Sequence, residues 1–424
     1  MPALIDKAVF TSLAVLAMRA SILACKFGLV IFIGRYLDLT SLGLYGLAAG
    51  TVSLGPVVIG MGMVHLIMRD AVTLSLEQVT IELRHYWCFT TSIYVLVLIC
   101  AVVGTIALGA SNLWWLVIVI MLFEHFGSDL FLLLSSLERP VLANVSAFLR
   151  GADWILVYVP IAIWEPAFRT STVLFEFWLG GSVSALLLFL WASRSWPWKA
   201  AFSSPFKPAW IMTTIRKAFV IYVADLSFVG SQYLDRYLVS FFLGLQLAGV
   251  YFLYWSVANA VGTLVSMIVF QIQRPRLIKA HHDGGALAHR QLTGKFMRTT
   301  ISATAAFTVA VGCAFYIVLP ILKQPASVAD HVAAFWVIMA GMAMRNIADF
   351  GAMALFTSRR DYMMTLTSLT AVIGLLLAQA VLLPLAGLNG AGAAILFTFL
   401  SISLWRYKLL FKPASDGKQS NPSP

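Results

Sequence analysis

FTSLAVLAMRASILACKFGLVIFI, residues 10–33, is an apolar stretch that carries two cations, Arg19 and Lys26. The stretch is long enough to cross a bilayer, because a membrane helix needs about 20 apolar residues. A cation near the middle of such a helix costs about 2.5–3.5 kcal/mol on insertion scales and normally faces a cavity or a partner. The two cations are seven residues apart, close to two helical turns, and therefore lie on nearly one face. We predict a membrane helix with a cationic face.

The rest of the chain has the composition of a membrane protein. Of its 424 residues, 60% are hydrophobic and 11% are charged, whereas soluble domains carry about 25% charged residues. Apolar runs recur from end to end without the alternation of transmembrane β-strands, and helices satisfy their own backbone groups in lipid. We therefore predict an all-α polytopic membrane protein with about 12 transmembrane helices. The predicted spans are 8–34, 41–67, 87–109, 112–134, 141–164, 171–192, 217–241, 247–272, 296–321, 330–356, 362–384 and 388–406.

Basic residues concentrate on one side of the predicted membrane. Of the 29 Lys and Arg residues, 21 fall in one set of alternate connections, four in the other set and four within spans. Because cytoplasmic loops are enriched in Lys and Arg, both termini are predicted to be cytoplasmic. The net charge of +11 is explained by these loops and does not indicate a nucleic-acid partner.

The chain divides into two similar halves. LDLTSLGLY (37–45) and LGLQLAGVY (243–251) share four identities at an offset of 206 residues, each at the turn between the first two spans of its half. Six spans in each half make the repeat parallel, as in transporters built around a central cavity. We predict four regions: an N-terminal six-helix lobe (1–192), a cytoplasmic interlobe loop (193–216), a C-terminal six-helix lobe (217–411) and a disordered cytoplasmic tail (412–424).

Charged side chains within the spans are the candidate functional residues. Cations that face a cavity would bind an anion, and several of them match a diphosphate, for which the planar donor fork of arginine is suited. The candidate substrate contacts are Arg19, Lys26, Arg150, Arg236 and Arg345. Acidic side chains in the same cavity are candidates to bind a coupling H⁺ or Na⁺, and these are Glu124, Asp129, Asp225 and Asp349.

Structural roles are open for several of these residues. Arg150 and Asp153 are three residues apart, and Arg345 and Asp349 are four apart, so each pair can neutralise itself within one helix. His125 can be a satisfied packing residue. No cofactor or metal site is predicted, because the four cysteines lie in or beside apolar runs without the spacing of metal ligands.

Several segments resemble bacterial polysaccharide flippases of the Wzx type. GRYLDLTSLGLY (34–45) is similar to the signature between their first two helices. LDRYLVSFFLG (234–244), followed by GVY (249–251), is similar to the element at their seventh helix, and Arg69 and Pro275 fall where the family has an arginine and a proline. These flippases belong to the multidrug/oligosaccharidyl-lipid/polysaccharide exporter superfamily.

The resemblance implies two six-helix lobes around a central cationic cavity. It implies a cargo of undecaprenyl-diphosphate-linked oligosaccharide, moved from the inner to the outer leaflet of the bacterial cytoplasmic membrane by alternating access. The expected partners are the bilayer, this lipid-linked cargo, and a polysaccharide polymerase and chain-length regulator of the same pathway. Related lipid II flippases use first-helix arginines for the diphosphate, and Arg19 and Lys26 occupy comparable places. Lys26 departs from that pattern because lysine makes no planar bidentate contact.

Two other functions are compatible with the sequence. A drug/cation antiporter of the same superfamily needs a cavity dominated by carboxylates and aromatic side chains, and Glu124 and Asp129 keep this alternative open. A membrane-embedded polysaccharide polymerase or ligase usually places its catalytic residues on a large extracytoplasmic loop. No predicted loop on that side exceeds about ten residues, so a non-enzymatic transporter is preferred.

Overall fold

The computed structural model describes residues 2–71, 73–108, 113–320 and 325–411, and the predicted tail 412–424 lies outside them. Every regular element of the described residues is helical. The α-helices are α1 (Pro2–Phe32), α2 (Leu39–Gly60), α3 (Met63–Asp70), α4 (Leu76–Leu108), α5 (Leu113–Ser136), α6 (Pro140–Phe148), α7 (Trp154–Trp164), α8 (Ser171–Ala192), α9 (Trp198–Ser203), α10 (Pro208–Tyr233), α11 (Asp235–Val265), α12 (Gln271–Val318), α13 (Ala326–Asp330), α14 (Val332–Thr357) and α15 (Asp361–Phe411). Short π-helical turns occupy Ile33–Leu37, Leu149–Asp153 and Ser266–Phe270, and a 3₁₀ turn occupies Pro166–Phe168.

Glycine kinks divide the longest helical stretches into separate membrane crossings. Nine stretches of the described residues are long and apolar enough to cross a membrane. One of them, Pro208–Ile317, turns at Gly244 and Gly285, and another, Asp361–Phe411, turns at Gly387. These glycines have φ angles of +83°, +66° and +56°, which side chains with a Cβ rarely adopt. Divided at these kinks, the nine stretches contain the twelve crossings that the sequence predicts.

The segment between the halves is more helical than the sequence suggests. Residues 193–216 are predicted as a loop, but they contain α9 and the start of α10. Pro208 begins α10 at a position where its missing N–H and fixed φ suit the first helical turn. The seventh membrane helix therefore begins nine residues before the predicted start at 217.

Each half packs as its own bundle. In the N-terminal half, α5 packs against α2 and α8, and α6 packs against α1. In the C-terminal half, α14 packs against α12 and α15, and α11 contacts all three. The main contact between the halves joins α2 to α11 and α10, and we call it the interlobe seam.

The interlobe seam is symmetric where α2 and α11 cross. A Cβ on Gly43 would lie 2.2 Å from the Leu245 carbonyl oxygen, and a Cβ on Gly249 would lie 2.0 Å from the Leu39 carbonyl oxygen. Leu39 and Leu245, like Gly43 and Gly249, are separated by the 206-residue offset of the sequence repeat. The contact is therefore reciprocal, as a parallel repeat about a two-fold axis requires. Glycine is needed at both positions because the two backbones touch.

Candidate functional site

A cavity of about 1380 Å³ lies between the two halves. Its lining along α1 runs from Leu16 to Ile31, about 22 Å of helix. Near one end, Tyr45 of α2 and Phe252 of α11 pack across the interlobe seam with ring centroids 5.8 Å apart. Towards the other end, apolar side chains such as Leu16 and Ile268 line the cavity. The cavity therefore has a closed aromatic end at the seam and an apolar end along α1.

The charged side chains that line this cavity are predominantly cationic. Among the described residues they are Lys26, Glu124, Arg150 and Arg236, three cations and one carboxylate. Arginine and lysine at such a position attract anions, and they do so more strongly in a water-poor cavity than on a surface. The N-terminal half supplies Lys26, Arg150 and Glu124, and the C-terminal half supplies Arg236, so each half contributes a net charge of +1 to the lining.

Lys26 is the exposed cation of the cavity wall. The Lys26 side chain packs against Gly151: a Cβ atom added to Gly151 would lie 3.6 Å from Lys26 Cε. The hydrogen bonds and ion pairs found among the described residues do not include the Lys26 ammonium group. Because a charge at this depth is stabilised by a counter-charge or by water, Lys26 is available to an anion that enters the cavity.

Arg19 is held at the side of the cavity. By helical phase it shares the face of Leu16 and Leu23, which line the cavity, but Arg19 itself is not among the lining residues. Its Nε donates a hydrogen bond of 3.0 Å to Asn144 Oδ1 on α6. Asn144 is buried, and its Nδ2 donates to the Pro140 carbonyl, which fixes Oδ1 towards Arg19. The two cations of the first helix therefore have different environments.

Arg150 forms an ion pair with Glu124 rather than with Asp153. Arg150 Nη1 lies 2.6 Å from Glu124 Oε2, and Glu124 Oε1 accepts hydrogen bonds from Trp178 Nε1 at 3.0 Å and Ser182 Oγ at 2.7 Å. No Arg150–Asp153 pair occurs among the described residues, so the pairing within one helix that the spacing allows is not formed. Arg150 lies in the π-helical turn Leu149–Asp153, whose wider coil changes the helical phase. The result is a neutralised pair in the cavity wall.

Arg236 links the two lobes at the closed end of the cavity. It is buried, and its Nη1 donates a 3.0 Å hydrogen bond to the Gly46 carbonyl of α2. Its guanidinium carbon lies 4.2–4.7 Å from the ring centroids of Tyr233, Phe252 and Trp255. Cation–π contacts of this kind stabilise a desolvated cation by about 2 kcal/mol. Arg236 therefore contributes to closure as well as to the charge of the cavity.

The remaining candidates in the C-terminal half lie away from the cavity lining. Arg345 donates to the carbonyl and hydroxyl oxygens of Ser231 and lies 3.9 Å from Asp349, the pairing that their spacing allows. Asp225 lies 2.7 Å from His65 Nε2 on α3, an ion pair that joins the two lobes beyond the end of α2. The hydrogen bond that His65 donates to Asp225 raises the pKa of His65.

Asp129 and His125 form a closed polar cluster inside the N-terminal lobe. His125 Nε2 lies 3.5 Å from Asp129 Oδ2 and 2.8 Å from the Tyr86 hydroxyl, while His125 Nδ1 lies 3.0 Å from the Tyr94 hydroxyl. Both His125 and Asp129 are buried, and Asp129 Oδ2 has no hydrogen-bond partner among the described residues. The cluster touches Gly60 at the end of α2, on which a Cβ would lie 2.8 Å from the Tyr86 hydroxyl. Asp129 is therefore separate from the cavity but adjacent to the break after α2.

Sequence reasoning missed the neutral residues that orient these charges. Asn144, Trp178 and Ser182 hold Arg19 and Glu124, yet each is an ordinary residue of an apolar run. No spacing rule within one helix identifies them, because their partners lie on other helices.

Comparison with models of protein families gives no match, and a search of curated proteins finds none that is significantly similar.

Solved structures nevertheless share the whole fold. An inward-facing multidrug resistance MATE family transporter of the MOP superfamily is 13% identical with a TM-score of 0.68, covering 91% of this chain and 94% of that one. The outward-facing form of such a transporter is 12% identical with a TM-score of 0.58, covering 94% and 95%. The lipid II flippase MurJ in an inward closed conformation is 12% identical with a TM-score of 0.68, covering 95% and 87%. The predicted fold class is confirmed: an all-α membrane protein of two lobes, with the fold shared by MATE transporters and MurJ.

Proposed function

We propose that this protein is a flippase that moves an undecaprenyl-diphosphate-linked oligosaccharide from the inner to the outer leaflet of the bacterial cytoplasmic membrane. The observation that carries the proposal is Lys26, an exposed cation in the wall of the interlobe cavity without a carboxylate partner among the described residues. A diphosphate supplies the missing counter-charge and accepts charge-assisted hydrogen bonds from lysine and arginine. The MurJ structure supports the proposal, because a flippase for a lipid-linked substrate has this fold.

The cavity offers a different environment to each part of such a cargo. The apolar end near Leu16 and Ile268 suits the polyprenyl chain, and Lys26 lies ten residues further along α1, about 15 Å away. Beyond it, the aromatic closed end around Tyr45 and Trp255 suits the oligosaccharide. With both termini cytoplasmic, the closed end faces outward and the cavity is in a loading state. One lobe would then rock against the other and open the interlobe seam.

The other candidate residues take distinct roles in this proposal. Arg19, held by Asn144, and Arg236, at the closed end, would contact the cargo as it moves, whereas Arg150 is already paired with Glu124. Asp129 is the preferred site for a coupling proton, because one of its buried carboxylate oxygens lies 3.5 Å from His125 Nε2 and has no hydrogen-bond partner among the described residues. The residues Asp225, Asp349 and Arg345 would instead maintain contacts within and between the lobes.

The proposed protein consists of two lobes and a connecting segment, and the second lobe begins within that segment. The lobes are residues 1–192 and 217–411, joined by 193–216, of which α10 already takes the last part. A polysaccharide polymerase and a chain-length regulator would use the product at the outer leaflet.

The MATE structures make a drug/cation antiporter the second candidate. Against it stands the cavity itself, where the one described lining carboxylate, Glu124, is already neutralised by Arg150.

Complementation of a strain that lacks this gene tests the proposal. The strain would carry wild type, Lys26→Ala, Lys26→Arg or the matched control Lys279→Ala, in which an exposed lysine outside the cavity is removed. One charge-assisted contact contributes about 1.5–3 kcal/mol, or about 10- to 150-fold in affinity. We expect Lys26→Ala to lose most surface polysaccharide at low cargo levels, and Lys26→Arg and Lys279→Ala to retain it.

Two results would argue against the flippase. Full polysaccharide with normally expressed Lys26→Ala would remove Lys26 from the mechanism. A deletion strain with unchanged polysaccharide and altered drug susceptibility would favour the antiporter.

A further inference from the structure

A second hollow lies on the outside of the N-terminal lobe. This lateral groove has a volume of about 600 Å³ and is formed by α4, α5 and α9. It shares no lining residue with the interlobe cavity. Trp87 of α4 forms its floor, with ring centroids 5.2 Å from Phe126 and 6.2 Å from Trp198 of α9. The groove is therefore independent of the interlobe cavity.

The lateral groove is amphipathic along its length. On α4 its lining runs from Arg84 at one end to Val95 at the other. These residues are 11 positions apart, which is about 16 Å of helix, or about half of the 30 Å hydrocarbon core. The groove thus matches the depth of one leaflet. It has a cation at one end, and beyond it the lining is mainly apolar but includes Thr91 and Ser92, of which the Ser92 hydroxyl is hydrogen-bonded to the Cys88 carbonyl.

Positive charge collects at the α9 end of the groove. Arg84 donates hydrogen bonds of 2.5 Å to the carbonyl oxygens of Ala201 and Ser204, which ties the end of α9 to α4. Lys199 is not itself a lining residue, but it is exposed and directly follows the lining residue Trp198 in α9, and the described lining includes no carboxylate. With the cytoplasmic orientation given by the basic loops, this end faces the inner leaflet, whose anionic lipids attract each Lys or Arg by about 1 kcal/mol.

We infer that the lateral groove binds one anionic phospholipid of the inner leaflet. Its headgroup lies against Lys199 and Arg84, and one acyl chain follows the groove past Cys88 to Val95. Tryptophan and phenylalanine provide the apolar floor, and tryptophan is favoured where lipid headgroups meet hydrocarbon. Because α9 is the helix of the interlobe segment, the bound lipid braces the connection between the lobes. The site is distinct from the cargo cavity and does not depend on the proposed cargo.

Cys88 is an exposed thiol in the groove and reports its occupancy. The test uses a protein that keeps only Cys88, with the other three cysteines replaced by serine. Its modification rate by N-ethylmaleimide is measured in vesicles of phosphatidylcholine with and without phosphatidylglycerol. A sibling that keeps only Cys100, exposed on the same helix but outside the groove, is the matched control.

We expect phosphatidylglycerol to slow modification of Cys88 by about fivefold, the effect of one well-placed cation, and to leave Cys100 unchanged. Lys199→Glu should remove this preference, and Val95→Trp, which fills the acyl path, should bring the ratio of the two rates to about one. Arg84 is left intact because it holds α9.

Three results would overturn the inference. In the first, Cys88 would be modified equally fast in both kinds of vesicle. In the second, phosphatidylglycerol would slow the modification of Cys88 as strongly in Val95→Trp and Lys199→Glu as in the parent protein. In the third, undecaprenyl phosphate would protect Cys88 at a lower mole fraction than phosphatidylglycerol, making the groove a site for the cargo lipid.

Discussion

Alanine at Gly43 should open the closed end of the cavity. Its Cβ would lie 2.2 Å from the Leu245 carbonyl oxygen, whereas ordinary van der Waals contact begins at 3.4 Å. The α2 and α11 backbones must therefore separate by about 1.2 Å. Overpacking of this kind costs about 1–3 kcal/mol, and the cost falls only on the state in which the interlobe seam is closed. The equilibrium should shift towards the open seam by about 5- to 150-fold.

Spin labels at Thr40 and Gln246 measure this change. Both residues are exposed, and the 206-residue offset makes them equivalent positions on either side of the interlobe seam. With the natural cysteines replaced, double electron–electron resonance should show a larger long-distance population in Gly43→Ala. Gly28→Ala is the control, since nothing lies within 4 Å of its Cβ.

The double variant sharpens the test of the seam. Gly249→Ala should have a similar effect, because its Cβ would lie 2.0 Å from the Leu39 carbonyl oxygen. One separation of the helices relieves both clashes, so Gly43→Ala with Gly249→Ala should fall short of the sum of the two single effects. An unchanged distance distribution in a well-folded Gly43→Ala protein would show that this crossing does not hold the cavity closed.

Two further predictions concern the ion pairs. The hydrogen bond to Asp225 raises the pKa of His65 above its ordinary value of 6.5. The contact between α3 and α10 should therefore be fully present below pH 6.5 and should weaken as the pH rises through the raised pKa. Cross-linking between these helices should follow that pH dependence, and Asp225→Asn should abolish it; a pH-independent yield in wild type would contradict the reasoning. Glu124→Gln leaves Arg150 without its carboxylate and should lower the free energy of unfolding by about 3 kcal/mol, seen as a lower melting temperature in detergent. Glu124→Leu with Arg150→Met should recover most of that loss, and a wild-type melting temperature for Glu124→Gln would refute the structural role.

The fold was largely predictable because lipid imposes a simple rule on sequence. Every crossing must satisfy its own backbone, so apolar length reveals the helices, and the basic loops and the repeat organise them. The four identities between the halves even identify Gly43 and Gly249, which meet at the interlobe seam. Helix α9 was not predicted, because its six residues lie between prolines and are too few to resemble a membrane span.

The site was less predictable because its pairings cross between helices. Spacing along one helix correctly allowed Arg345 to approach Asp349, but it could not bring Glu124 to Arg150. The π-helical turn around Arg150 also breaks the 3.6-residue phase on which face assignments rest. On α1 the phase put both cations on one face, yet the buried Asn144 holds Arg19 at the side of the cavity.

The reciprocal contact of Gly43 with Gly249 has the geometry of an isologous dimer interface, in which one surface patch meets its own copy. In a dimer of two identical half-length chains, every substitution would appear on both sides of the axis. Fusion of the halves into one chain removes that restriction. It allows Arg19 and its counterpart Asp225 to carry opposite charges. A single covalent chain can therefore keep a symmetric interlobe seam while its two halves become chemically different.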